Sequence, residues 1–236
     1  MRTELLLAAG PLPRGRFATI AADVPWPYTD RLPGGGRGAA KHYPLMRMPD
    51  ILALPVAAIA AADAHLYLWT TNAFVEKAYE VARAWGFEPK TIITWVKAVE
   101  DDRGAVRVQI GMGHYFRGST EHVLFAVRGR LAVRRRDIPT VYFAPRGRHS
   151  EKPDGFYADV IERASPGPRL EMFARKPRPG WTVWGNEVAG SDDDDGNGGT
   201  VRGVPVEVDH RGRWSPNAEI IERTERLYEG WREDAL

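Results

Sequence analysis

Short runs of β-branched and aromatic residues alternate with helical patterns along most of this chain, and no other feature limits its fold as strongly. The runs predict strands at 17–22, 66–70, 91–96, 122–127, 140–143, 170–174 and 182–184. Helical patterns lie between them, at 49–61, 73–85 and 153–164. Pro153 suits the first position of the last helix, and Asp154 favours the positive end of its dipole. This alternation predicts an α/β fold, a mostly parallel sheet with helices on both faces. Ligands of such sheets bind outside the carboxyl ends of the strands, so the residues just after each strand matter most.

The chain has 236 residues, 43% of them hydrophobic, enough for one full core and an appendage. The expected division is a main domain at 1–190, an acidic, glycine-rich linker at 191–200 and a C-terminal appendage at 201–236. In the appendage Ile220, Ile221, Thr224, Leu227, Tyr228 and Trp231 share one stripe of an amphipathic helix that starts after Ser215 and Pro216. Cysteine is absent, which excludes disulfides, thiolate metal sites and a cysteine nucleophile, and fits a reducing cytoplasm. The apolar stretch 51–69 is broken by Pro55, Asp63 and His65, so no membrane span is expected. The start, with Glu4 inside its apolar run, reads poorly as a signal peptide, and a cytoplasmic location is expected.

Net charge is only +2, but local charge is uneven. Arg128, Arg130, Arg134, Arg135, Arg136, Arg146 and Arg148 are opposed in their stretch by Asp137 alone. Arg31, Arg37 and Lys41 sit among the glycines Gly34, Gly35, Gly36 and Gly38. Guanidiniums spaced with Tyr142 and Phe143 suit an anionic, base-bearing polymer. A solvated arginine-rich hairpin loop is the competing reading. Arginine outnumbers lysine 27 to 6, a bias found in GC-rich bacterial and phage genomes.

The informative stretch is Ala22-Asp23-Val24-Pro25-Trp26-Pro27-Tyr28, directly after the first strand. Asp23 offers a carboxylate at a strand's carboxyl end, and the Val24 carbonyl is the next acceptor. Pro25 restricts the backbone that aims that carbonyl, and Trp26 offers a face for stacking. Two fixed acceptors side by side fit a group with two N–H donors, such as an exocyclic amine. Taken alone, Asp-x-Pro-Trp reads first as a turn after a strand, with Asp23 capping it and Trp26 filling a gap.

Further segments follow in order. They are His65-Leu66-Tyr67-Leu68-Trp69-Thr70, Thr94-Trp95-Val96-Lys97, Gly113-His114-Tyr115-Phe116 and Glu121-His122. After these come His149-Ser150-Glu151-Lys152-Pro153-Asp154 with Phe156-Tyr157, then Glu162-Arg163-Ala164-Ser165-Pro166-Gly167. The series ends with Glu171-Met172-Phe173-Ala174-Arg175, Gly180-Trp181 and Trp184-Gly185-Asn186-Glu187. As an ordered set, from about residue 17 to 188, they resemble one family of adenine-N6 methyltransferases. It contains the catalytic subunit of the eukaryotic mRNA adenosine methylase and many bacterial and phage relatives. That family carries Asp-Pro-Pro-Trp after a strand; Asp23, Pro25 and Trp26 match it, and Val24 replaces the first proline.

The resemblance implies a Rossmann-like, S-adenosylmethionine-dependent methyltransferase in permuted order, its catalytic motif ahead of the main donor-binding strand. That order accounts for the lack of G-x-G-x-x-G after the first strand. The activity implied is methyl transfer to adenine N6 in nucleic acid, DNA in preference to RNA, by direct displacement and without a metal. Asp23, Val24, Pro25 and Trp26 form the implied catalytic group. Its carboxylate and carbonyl accept both amine hydrogens and draw the nitrogen towards a tetrahedral form. The target base must be flipped out to reach them.

Implied substrate contacts are Pro27, Tyr28, Lys97, Tyr115, Arg117, Ser150 and Lys152. Glu171 and Arg175 are implied near the donor's ribose, Asn186 and Glu187 near its ribose or adenine, and Asp23 near its ammonium group. Glu171, on an apolar strand, would be a costly carboxylate without a ligand. Thr120, also counted with the donor site, stands where the eukaryotic catalytic subunit has a lysine that meets the donor's carboxylate. Either another cation, Arg117 or Lys152, takes that role, or affinity for the donor is lower. Segments 30–41 and 101–118 are expected to be walls that close over the base. The alternatives are an RNA adenosine methyltransferase and a non-catalytic member that binds nucleic acid beside an active subunit; a homo- or hetero-dimer is compatible with these readings.

Overall fold

The run Phe-Ala-Thr-Ile-Ala-Ala forms strand β1 (Phe17–Ala22), buried at every residue but Ala18. The computed structural model describes residues 10–28, 45–100, 106–111, 113, 115–147, 151–186 and 188. These fall into two compact units. One holds the described residues up to 92, 122–132 and those from 165 onward; the other holds 93–121 and 133–164.

In the first unit β1 pairs in parallel with β2 (Ala60–Thr70) on one side and β7 (Arg169–Met172) on the other. Beyond β7 lies β8 (Thr182–Trp184), again parallel, and beyond β2 lies β5 (Thr120–Arg128), antiparallel over 122–128, its first two residues counted with the second unit. The order is therefore β5-β2-β1-β7-β8. Strand β3 (Glu88–Glu100) begins in the first unit and continues into the second. There it pairs antiparallel with β4 (Val106–Val108) and parallel with β6 (Val141–Ala144). The α/β architecture with mostly parallel pairing agrees with the sequence reading; β4 was not foreseen, being three residues long.

Burial runs without interruption from Ala64 to Thr70 of β2, the pattern of a strand covered on both faces. Ala64, Leu66 and Leu68 join the core with Ile20, Leu170 and Met172. Helix α3 (Val75–Ala84) adds Ala78, Val81 and Ala82 to that core. Each fully buried large apolar side chain here contributes about 1.5–3 kcal/mol.

His65 and Tyr67 point to the opposite face, as alternation requires, with ring contacts to Phe125 at 5.0 and 5.1 Å. His65 Nε2 faces the Leu131 carbonyl at 2.9 Å, so it carries the proton and donates. Nδ1 then accepts from the Ser165 hydroxyl at 2.7 Å, and Ser165 Oγ accepts from Tyr67 O–H at 2.7 Å. Burial lowers the His65 pKa, the Leu131 bond only partly opposing it, and burial pushes Tyr67 up to about 12. Neutral side chains thus satisfy one another and tie β2 to the segment that leads into β7.

The predicted helix at 49–61 is instead two short ones, α1 (Met48–Leu52) and α2 (Val56–Ile59), and β2 already begins at Ala60. Pro55 is the cause: it cannot continue a helix and restricts Leu54 before it. The helix expected at 153–164 starts as α4 (Asp154–Phe156), with Pro153 one position outside it, and continues as a π-helical stretch (Tyr157–Glu162). The strand expected at 170–174 stops at Met172, because Phe173 adopts a left-handed φ of 63°.

The arginines do not form one hairpin loop. Arg128 and Arg130 belong to the first unit, where Arg128 donates to the Ala57 carbonyl at 2.7 Å. Arg134, Arg135 and Arg136 belong to an irregular segment of the second unit, its Arg134 N–H bonded to the Ala164 carbonyl at 2.8 Å. Arg148, the segments 30–41 and 101–105, the linker at 191–200 and the appendage lie outside the described residues. No described helix is long and apolar enough to cross a membrane.

Candidate active site

The chain leaves β1 through two consecutive tight turns. The Trp26 N–H donates to the Val24 carbonyl at 2.8 Å, and the Tyr28 N–H to the Trp26 carbonyl at 2.8 Å. These i to i+2 bonds centre on Pro25 and Pro27, whose ring-locked φ matches the inverse γ-turn. Met46 N–H donates to the Pro25 carbonyl at 2.9 Å, and Asp23 N–H reaches the Met172 carbonyl of β7 at 3.4 Å. Asp23 is half-buried at the carboxyl end of β1, and Val24 is buried in the core. The Val24 carbonyl keeps a second lone pair for another donor.

Trp26 is 3% exposed. Its ring stacks on Phe74 at 5.3 Å and 15°, and its indole N–H donates to the Trp69 carbonyl at 3.1 Å. The face that the sequence offered for stacking is therefore turned into the interior, where it braces the turn. Tyr28 sits edge-on to Phe74 at 4.8 Å and exchanges a 2.8 Å hydrogen bond with the Thr71 hydroxyl.

Because β7 lies beside β1 in register, Ala21 is level with Glu171 and Ala22 with Met172. Phe173 then turns the chain in its left-handed conformation, a strain of about 1–3 kcal/mol that its packing on Trp184, 5.2 Å between centroids, helps to offset. Ala174 N–H bonds the Trp184 carbonyl at 3.0 Å. A side chain at Gly185 would collide with the Ala174 carbonyl, so only glycine lets these strand ends close up. Asp23, Glu171, Arg175 and Asn186 thus gather at the carboxyl ends of β1, β7 and β8. Glu187 and Ser150 lie outside the described residues.

Glu171 is not stranded on its apolar strand. Arg178 Nε donates to Glu171 Oε2 at 2.7 Å, with both side chains nearly buried at 12% and 13% exposure. Nothing in the local sequence announces this partner, because Arg178 stands in a proline-rich segment with other basic residues.

The second unit carries its own charged cluster. Lys97 Nζ lies 2.7 Å from Glu121 Oε1, and Lys152 Nζ lies 3.0 Å from Glu121 Oε2. All three side chains are nearly buried. Burial alone would raise the Glu121 pKa; the Lys152 and Lys97 ammoniums outweigh it and hold the carboxyl below its usual value. Lys97 also stands 5.2 Å from the centre of the Trp95 ring, whose N–H donates to the Ala144 carbonyl at 2.9 Å. One carboxylate between two ammoniums leaves a net positive charge, suited to an anionic group. Lys97 and Lys152, expected separately from the sequence, are thus joined by Glu121, which was not singled out as a site residue. Tyr115 and Arg117 are exposed, and Thr120 is half-buried at the start of β5.

The MT-A70 family model matches residues 17–187. The chain belongs to the MT-A70 family. It is 29% identical over 196 residues to the Type II methyltransferase M.MunI of a Mycoplasma species, covering 75% of this chain and 80% of that protein. It is 33% identical over 181 residues to the human N(6)-adenosine-methyltransferase catalytic subunit METTL3, and 32% over 180 to an MT-A70-like protein of Medicago truncatula. These two matches take in 75% of this chain but only 29% and 27% of the relatives. The MT-A70 model begins at the first residue of β1 and extends past Asn186, so it takes in the Asp23 turn, the Lys97–Glu121–Lys152 cluster and the ends of β7 and β8.

Proposed function

We propose that the protein transfers a methyl group from S-adenosylmethionine to N6 of adenine in DNA. The observation that carries the reading is the Asp23–Val24 pair, two acceptors set by consecutive proline turns beside the strand that bears Glu171. The Asp23 carboxylate accepts one hydrogen of the amine and the Val24 carbonyl accepts the other. The nitrogen lone pair then withdraws from the ring, and the surplus proton leaves through Asp23 Oδ. Trp26 acts by bracing the turn and Pro25 by fixing it. Such preorganised acceptors need no rearrangement at the moment of reaction.

The donor set fits S-adenosylmethionine, which when bound supplies the electrophilic methyl group. Carboxylate and amide acceptors suit ribose hydroxyls, and Glu171 and Asn186 provide them, with Arg175 close by in the chain. Asp23 suits an ammonium group, and Glu187 is assigned to the same donor by its place in the motif. Pro27, Tyr28, Lys97, Tyr115, Arg117, Ser150 and Lys152 are assigned to the substrate by motif. Lys152, or Arg117, replaces the missing lysine at Thr120. The match to the Type II methyltransferase spans most of that protein, which favours DNA over RNA. The same reading puts the enzyme in the cytoplasm beside its nucleic acid, as a monomer or dimer.

The test is incubation with S-adenosylmethionine and separate DNA and RNA pools, followed by mass spectrometry of the nucleosides. N6-methyldeoxyadenosine is expected. Methylation of RNA alone would transfer the reading to RNA, and neither product, with no donor binding, would favour a non-catalytic member.

A further inference from the structure

Five large apolar side chains are exposed among the described residues, and all belong to the second unit: Val108, Ile110, Tyr115, Phe116 and Phe143. Single exposed apolar residues are ordinary, but Tyr115 and Phe116 are adjacent aromatics exposed to 95% and 89%. The segment that presents them is built. β4 is laddered to β3, Gln109 N–H bonds the Lys97 carbonyl at 2.6 Å, and Lys97 N–H bonds the Ser119 carbonyl at 2.8 Å. Gly111 N–H bonds the Gly118 carbonyl at 2.6 Å and closes the loop. Gly113 lies so near the Phe116 carbonyl that a Cβ there would collide, so only glycine permits this approach. Arg146 fastens the base of the loop, its N–H donating to Gln109 Oε1 at 2.7 Å.

Charge within the loop itself has one sign, while Glu100, level with Val106 in the ladder, and Glu151, against Gly147, lie near its base. From Val106 to Thr120 the sequence holds Arg107 and Arg117 and no acidic residue, and 138–147 holds Arg146 and none. A neutral protein partner would need no such bias. We propose that Tyr115 and Phe116 form a stacking platform for unpaired bases, with Arg117 and Arg146 engaging phosphates of the same strand. The inference rests on the reading that the chain acts on nucleic acid, and adds that the strand is single-stranded where it meets this loop. A duplex hides its base faces, whereas an unpaired strand offers them, and every base has a face to stack.

Binding of a fluorescent single-stranded DNA oligonucleotide, and of its duplex, is measured without donor. The wild type should hold the single strand more tightly. Tyr115→Ala with Phe116→Ala should lose about tenfold for each ring while keeping its salt slope, and Tyr115→Phe with Phe116→Tyr should retain affinity. Arg117→Ala should reduce the salt slope by about 0.7. Both rings are almost wholly exposed, so the double variant should melt at the wild-type temperature. Unchanged affinity in the double alanine variant overturns the proposal, as does wild-type preference for the duplex. A dimeric wild type made monomeric by the double variant with DNA affinity unchanged also overturns it, and gives the surface to a second copy. Wild-type methylation without a platform effect sinks this inference alone; a working platform with no N6-methyladenine formed sinks the catalytic reading alone.

Discussion

At the scale of single residues, the two nearly buried charge groups carry different kinds of information. Glu171 combines an internal partner, Arg178, with a place beside the Asp23–Val24 turn. Glu171→Ala is therefore expected to weaken S-adenosylmethionine binding by about 1–3 kcal/mol in calorimetry, the loss of a buried polar partner. Arg178→Ala should also lower thermal stability, because it leaves a mostly buried carboxylate without its 2.7 Å partner. Unchanged donor affinity in Glu171→Ala would remove that residue from the donor site.

His65 makes a pH prediction. Its folded pKa is lowered, so the unfolded chain binds a proton that the folded chain resists. Its contribution is present above about pH 6.5, the unfolded value, and is lost as pH falls through the folded value. Glu121, also lowered, gives a separate loss only at more acid pH, beginning below its ordinary value of 4.5. Melting temperatures from pH 4 to 8 should show the first loss in wild type and not in His65→Gln. A variant that keeps the first loss would contradict the assignment.

At the scale of elements, the sequence was readable wherever burial and period agreed. β1 and β8 occupy the residues predicted, since each is a β-branched or aromatic run ended by a turn residue. Local rules failed where distant contacts or single residues decide. Nothing nearby in the chain announces that Phe173 turns left-handed, because its support comes from Trp184. Asp23, Glu171 and Asn186 could be given expected roles from motifs; Glu121 stood in a matched segment without a role and Arg178 in none, since their meaning lies in partners far along the chain or across a loop. The arginine segment shows the same limit. Asp137 holds Arg135 through both oxygens, with Nε–Oδ1 at 3.0 Å, and the Arg135 hydrogen bond draws its carboxyl down to about 2.

Arg134 and Arg136 are exposed and have no acidic partner among the described residues. If this segment meets phosphates, Arg134→Ala with Arg136→Ala should lower the salt slope of duplex DNA binding by about 0.9 per contact, without changing donor affinity. Arg135→Ala should change it less than either. Equal effects from all three, or none, would make the segment a solvated face.

At the scale of the whole molecule, the proposed activity depends on one thing: that acceptors at the carboxyl end of β1 make adenine N6 a nucleophile. The decisive measurement is single-turnover transfer of a labelled methyl group from S-adenosylmethionine to a DNA oligonucleotide. Wild type and Asp23→Asn are compared at matched, saturating donor and DNA. Asparagine keeps the size of the side chain, but replaces an anionic acceptor with an amide that presents donors to the amine. Label should appear in N6-methyldeoxyadenosine with the wild type, and Asp23→Asn, melting at an unchanged temperature, should transfer at least a hundredfold more slowly, about the loss of one oxyanion-type contact. A well-folded Asp23→Asn protein that transfers at the wild-type rate, or a wild-type label found on any other atom, would contradict it.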